Sequence, residues 1–374
     1  MNKKLAVLGA SYLQLPLILK AKSMGIETHC FAWDNKEAVA KLQADFFYPI
    51  SILDKEAILE VCREVKIDGI LSIASDICVP TISFVAQEMG LPNNNSFENA
   101  LKSTNKALMR QAFSLFGVLS PKSFAAKNYA DIAEASLSFP LIVKPTDRSG
   151  SRGVALTHQP TELKKAIEDA LSESIEKQVV IEEYIEGNEI SVETISYKGE
   201  HFILAITDKI TTGPPYFVEL EHHQPSALSE EQARQVHQAT FKALNALEVQ
   251  FGASHSEFKL DKNGQIFVIE VGARMGGDFI GSHLVQLCTE YDFLKSIIDV
   301  AINNAFEPPV ELKKHKTGVV FLCQENQKAL SVFEHPQQIN KIVEIERTSQ
   351  DIKSVKSSAD RCGYYIYCTK ESDL

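Results

Sequence analysis

The fold turns on the stretch Glu257-Phe258-Lys259-Leu260-Asp261-Lys262-Asn263-Gly264-Gln265-Ile266-Phe267-Val268-Ile269-Glu270. Asn263-Gly264 between alternating flanks is the strongest short hairpin signal in the chain. A two-residue turn pairs Lys262 with Gln265. Counting outward, Leu260 meets Phe267 and Glu257 meets Glu270, so the two glutamates lie opposite each other on one face. The other face carries Phe258, Leu260, Phe267, Ile269 and Val271 as a core stripe. A four-residue loop keeps the glutamates on one face; a three-residue loop does not. Opposed carboxylates repel. They either splay into solvent or serve a hard cation, since Mg²⁺ takes one or two carboxylates plus substrate phosphates.

The flanking segments add further candidates. Val271-Gly272-Ala273-Arg274-Met275-Gly276-Gly277-Asp278 places Arg274 in a Gly-rich turn, where it clamps a phosphate or carboxylate or is a plain surface arginine. Upstream, the strand Ile142-Val143-Lys144-Pro145 delivers a lysine to the loop Ser149-Gly150-Ser151-Arg152-Gly153, whose backbone amides suit phosphate oxygens. No G-x-x-x-x-G-K-[ST] motif occurs. The strand Val179–Glu183 ends in acids, turns at Gly187 and resumes after Glu189. Thr212-Gly213-Pro214-Pro215 leads into Glu219, His222 and His223 as a substrate loop. Adjacent histidines on an extended segment point oppositely, which speaks against a histidine metal site.

Further out, the first hundred residues alternate strand and helix signals, with Asp54 as a helix cap, and imply a parallel sheet covered by helices. A dinucleotide site is disfavoured, because the glycines expected after Gly9 are missing. Asn93–Ser96 reads as a polar linker and Lys106–Phe116 as a helix. Thr161 reads as the cap of a helix whose buried face is Leu163, Ala166, Ile167, Ala170 and Leu171, and Ser229 to Gln232 as a capping box. A strand-rich unit follows Pro308-Pro309.

The 374 residues carry 38 basic and 49 acidic side chains, a net charge of −11. This disfavours nucleic acid as a partner. No apolar run is long enough to span a bilayer, so no membrane partner is expected. The seven scattered cysteines lack a C-x-x-C and fit a reducing cytoplasm.

In this order the motifs resemble those of ATP-grasp carboxylate–amine ligases. L-amino-acid ligases (dipeptide synthases) are the nearest likeness, with glycinamide-ribonucleotide-synthetase-like proteins also near. The motifs are Asn105-Lys106, Ile142–Pro145, the Gly/Ser loop, Glu182 to Glu189, Ser254-His255-Ser256-Glu257, and Glu270 to Gly277. The resemblance implies an α/β and α+β ATP-grasp fold. Its N-terminal parallel-sheet (pre-ATP-grasp, Rossmann-like) domain spans 1–95. The ATP-grasp domain spans 96–308, with a small ATP-binding subdomain at about 122–186 and a larger one at about 187–308. A small C-terminal strand-rich subdomain covers 309–374.

The resemblance also implies roles. Lys106 and Lys144 contact ATP phosphates, and Ser149, Gly150, Ser151 and Gly153 belong to the closing loop. Glu183 and Ile185 hold the adenine through their backbone, Glu182 and Tyr184 belong to the same nucleotide site, and Glu189 holds the ribose. Glu257 and Glu270 bind Mg²⁺, with Mn²⁺ as an alternative ion. Arg274 holds the reacting carboxylate, with Gly276 and Gly277 beside it; Glu219 and His222 face substrate, and Lys209 lies near. Many ATP-grasp enzymes carry Asn where Gly272 stands, which puts one oxygen ligand in doubt. The implied reaction joins a small-molecule carboxylate to a small-molecule amine through an acyl phosphate, releasing ADP and phosphate. Relatives are often dimers, so a homodimer is open. The alternatives are a purine-pathway ligase of the glycinamide-ribonucleotide-synthetase type and a nucleotide-binding module without turnover.

Overall fold

A computed structural model describes residues 2–134, 136–335 and 341–369 of the chain. The N-terminal alternation yields a parallel sheet. Its strands run Phe46–Tyr48, Glu27–Phe31, Lys4–Leu8 and Gly69–Leu71 in spatial order. Asp54 caps the helix Lys55–Val65, and its Oδ1 accepts from the Ala57 amide at 3.1 Å. Asn93–Ser96 is not a free linker. Asn95 Oδ1 accepts from the Gln250 and Phe251 amides at 2.7 and 3.1 Å, and Ser96 caps a helix, Phe97–Thr104, that the sequence reading passed over. The N-terminal sheet shares its core with later elements: Leu5, Val7 and Ile73 pack in one cluster with Ile195, Leu204, Ile297 and Val300.

A four-stranded antiparallel sheet follows, ordered Ser123–Ala126, Val179–Glu183, Leu141–Pro145, Ala155–Thr157. The helix Pro160–Glu173 covers it with Leu163, Ala166, Ile167 and Ala170 buried. The cap position is Gln159 rather than Thr161, because Pro160 takes the first helical position, where a missing N–H costs nothing.

An eight-stranded sheet completes the molecule. Its order is Ile266–Gly272, Gly252–Leu260, Asn188–Tyr197, Glu200–Thr211, Glu219–Gln224, Lys316–Leu322, Gly363–Thr369, Ile342–Arg347. The last three strands, beyond Pro309, extend this sheet through the pairing of Glu219–Gln224 with Lys316–Leu322 and form no sheet of their own.

The deciding hairpin reaches its register by an unexpected route. Leu260 pairs with Ile266 and Phe258 with Val268, so the loop is Asp261–Gln265 and not a two-residue turn. Asp261 Oδ1 accepts from the Asn263 and Gln265 amides at 2.9 and 2.8 Å, and Gly264 sits at φ 78°. An odd loop of this kind would send Glu257 and Glu270 to opposite faces. The register shifts next to Phe258, leaving Ile269 as the extra residue of a bulge, and the Glu257–Glu270 pairing is restored. The core stripe changes as a result. Ile266 and Val268 are buried beside Phe258, Leu260 and Val271, in place of Phe267 and Ile269.

Candidate active site

The two antiparallel sheets enclose a cleft of about 1170 Å³. It gathers Lys106, Lys144, Ser149, Gly150, Ser151, Glu182, Glu183, Tyr184, Ile185, Glu189, Lys209, Glu219, Glu257, Glu270 and Arg274 from across the chain. Four expected residues do not line it: Gly153, His222, Gly276 and Gly277.

The floor is a charge lattice written by strand register. In one cross-strand row Glu270 stands opposite Glu257. In the next, Lys259, Glu189, Lys209 and His222 follow one another. Lys209 is buried and serves three acids: Glu257 at 2.6 Å, Glu189 at 3.3 Å and Glu219 at 3.7 Å. Burial opposes its charge, yet Glu257 and then Glu189 and Glu219 hold its pKa well above the ordinary lysine value. Burial likewise opposes the Glu257 carboxylate, which Lys209 and His255 keep well below the carboxylate range. Glu270 Oε1 accepts from Lys106 Nζ at 2.8 Å, and the same ammonium donates to the Arg148 carbonyl at 2.7 Å. Lys106 thus ties a prospective metal ligand to the start of the Gly/Ser loop.

The roof is organised by Glu182. Its Oε1 accepts from Arg110 Nε at 2.7 Å and its Oε2 lies 2.8 Å from Lys144 Nζ, with all three side chains buried. Burial alone would raise its pKa; Arg110 and Lys144 outweigh that and hold it at about 2. Glu182 therefore aims Lys144. For Lys144 burial is the largest effect and pulls its pKa below the ordinary value; Glu182 opposes it, and the nearby Arg110 adds to it. Ile142, Val154, Tyr184, Ile185, Phe217 and Ile269 form apolar walls beside it, a slot suited to a flat base. Ile269 reaches the cleft because of the bulge.

Loop geometry explains the glycines. Gly150, Ser151 and Gly153 have φ of 66°, 56° and 68°. A Cβ on Gly153 would stand 3.0 Å from Pro145 Cγ, so Gly153 lets the loop pack down rather than touch a ligand. Gly276 N donates to Glu193 Oε2 at 3.0 Å, and a Cβ there would come 2.3 Å from Glu193 Oε1. The role of Gly276 is to admit Glu193, which also pairs with His255 Nδ1. His222 is 1 % exposed and lies edge-on to Phe321. Neither ring nitrogen has a hydrogen-bond partner, and burial lowers its pKa. It stands opposite Lys209 in the strand register, with Nε2 3.9 Å from Asp278 Oδ2, and does not line the cleft.

Sequence reasoning assigned no role to Asp76, Arg110, Glu193, His255 or Lys259. Three carried a signal, since His255, Glu257 and Lys259 on one strand, and Glu189 and Glu193 on its neighbour, keep the period of two that puts side chains on one face. Asp76 carried none. It comes from the N-terminal domain and forks Arg274, with Oδ1 to Nε and Oδ2 to Nη2 both at 2.8 Å.

The donor set fits a magnesium–nucleotide complex. Two opposed carboxylates are present, and among the described residues no group of three or more His, Cys, Asp or Glu converges as a metal cage. Such a site leaves the remaining positions to phosphate and water.

Residues 137–282, which supply most of this cleft, match the ATP-grasp domain family. The chain is 27% identical over 303 residues to alanine–anticapsin ligase of Bacillus subtilis, covering 71% of this chain and spanning 64% of that relative's length. Among solved structures, an L-amino acid ligase from Bacillus licheniformis superposes with a TM-score of 0.80 at 22% identity, covering 98% of this chain and 93% of that one. The phosphoribosylglycinamide synthetase from Anaerococcus prevotii gives 0.77 at 21%, covering 100% and 95%. Among the described residues no helix is long and apolar enough to cross a membrane.

Proposed function

We propose that this chain is a cytoplasmic, ATP-dependent carboxylate–amine ligase acting on small, amino-acid-like substrates. One observation carries the reading: the opposed Glu257 and Glu270 share a cleft with Lys106, Lys144, Lys209 and Arg274 beside an apolar slot. A substrate carboxylate and the γ-phosphate of ATP are both anionic, so their approach requires fixed cations. Lys144 is aimed by Glu182, and Lys106 and Lys209 are at hand on the two glutamates. Mg²⁺, or Mn²⁺ in its place, would be held by Glu257 and Glu270 and would neutralise phosphate charge.

A carboxylate oxygen attacks the γ-phosphorus, the bond to ADP breaks, and an acyl phosphate forms. The amine then attacks the acyl carbon, phosphate leaves and the amine loses a proton. Water has to be kept out, or the acyl phosphate hydrolyses. The Ser149–Gly153 loop, tethered through Arg148 to Lys106, is the element that closes. The 27% identity to alanine–anticapsin ligase supports amino-acid-like substrates over a phosphorylated ribosyl amine.

The test is ADP release across pairs of amino acids. Release that needs both partners, and is abolished in a folded Glu257→Gln variant, supports the ligase. Near-wild-type release from that variant would refute the metal assignment.

A further inference from the structure

Arg274, the cation placed for the reacting carboxylate, already holds a carboxylate. Asp76 takes its Nε and Nη2 at 2.8 Å while Nη1 donates to the Met275 carbonyl at 3.3 Å, and both side chains are largely shielded, at 15% and 13% exposure. Asp76 stands at the seam between the nucleotide cleft and a second cavity of about 1940 Å³, which is lined by the strand ends of the N-terminal domain; it borders both. Its loop is pinned to the Gly-rich turn by the Ala74 amide on the Met275 carbonyl at 3.0 Å. Gly272 makes room for it: a Cβ there would come 2.4 Å from Asp76 Oδ1. The glycine that departs from the family's usual asparagine thus has a physical reason.

We infer that Asp76 and Arg274 together read a zwitterion, the α-ammonium and α-carboxylate of an amino acid that serves as acyl donor. The inference rests on the ligase reading and names the residue that sets its substrate class. The argument is a charge count. A bare carboxylate that takes the Nε–Nη2 edge of Arg274 strips Asp76 of its partner and leaves a shielded, unpaired anion beside another anion, which is strongly unfavourable. An amino acid exchanges one ion pair for two: its carboxylate takes Arg274 and its ammonium takes Asp76, so no charge is left alone.

The experiment pairs amino acids with their des-amino acids: L-alanine with propionate, L-leucine with 4-methylpentanoate, L-phenylalanine with 3-phenylpropionate. The amino acid that best drives ADP release with an amine partner is found first; none doing so would sink the ligase reading itself. Its des-amino analogue is then tested as acyl donor and as competitor. In the wild type we expect discrimination on the order of 100-fold or more. In Asp76→Asn the KM for the amino acid rises and discrimination collapses to within about tenfold, because an amide neither demands nor holds an ammonium. Should Asp76→Asn fail to fold, the wild-type comparison alone decides. A des-amino acid used as well as its amino acid, or a folded Asp76→Asn that keeps wild-type discrimination, overturns the proposal.

Discussion

Glu182→Gln isolates the buried triad that aims Lys144. The substitution keeps shape and volume but replaces the carboxylate between Arg110 Nε and Lys144 Nζ, at 2.7 and 2.8 Å, with a neutral amide. Two buried cations then lose their counter-charge. The carboxyl titrates at about 2 in the fold against an ordinary 4.5, which at about 1.36 kcal/mol per unit gives about 3 kcal/mol. Removing one partner of a buried pair independently suggests about 3–5 kcal/mol. The sign follows from the depressed pKa: the stabilisation is fully present above about pH 4.5 and is lost as pH falls toward about 2. Thermal unfolding at neutral pH should therefore show a loss of roughly 4–6 °C in Tm, and the gap from wild type should shrink on acidification. The KM for ATP should also rise, because Lys144 is no longer held. A gap under about 1 kcal/mol at neutral pH, or one that does not respond to acid, would refute the reasoning.

Three other outcomes are expected. Gly187→Ala places a Cβ 2.0 Å from the Leu260 carbonyl oxygen; since neither backbone can yield cheaply, urea unfolding should show a loss of about 1–3 kcal/mol. Lys209→Met removes the cation shared by Glu257, Glu189 and Glu219. Its Tm should fall, and added Mg²⁺ should raise the variant's Tm more than the wild type's; equal shifts would count against the floor as a cation site. His222→Phe swaps a buried ring whose nitrogens make no hydrogen bond, so kcat/KM should stay within about threefold, under 1 kcal/mol. A larger loss would restore His222 to the substrate side.

The legible part of the molecule was local. The opposed glutamates, the lysine ahead of a Gly/Ser loop and the capping box at Ser229 and Gln232 each lie within a short window, where turn chemistry and periodicity act. What was hidden joins distant positions. Arg110 meets Glu182 across 72 residues, His255 meets Glu193 across 62, and Arg274 meets Asp76 across 198. Spacing puts His255 and Glu193 each on a strand face, but which residues meet is decided by the packing of one element on another. The hairpin shows how the two levels interact. Asp261 closes a longer loop than Asn263-Gly264 suggests, and the bulge at Ile269 then returns Glu257 to Glu270. The pairing of the acids was read correctly while the strand faces near the turn were not.

The central claim is that a carboxylate is activated by phosphoryl transfer from ATP before an amine displaces it. The most direct measurement labels the carboxylate oxygens of the acyl donor with oxygen-18, runs the reaction with ATP and the amine, and weighs the released phosphate by mass spectrometry. The account predicts that each phosphate carries one labelled oxygen, transferred when the acyl phosphate is displaced. Unlabelled phosphate accompanying labelled amide would contradict it.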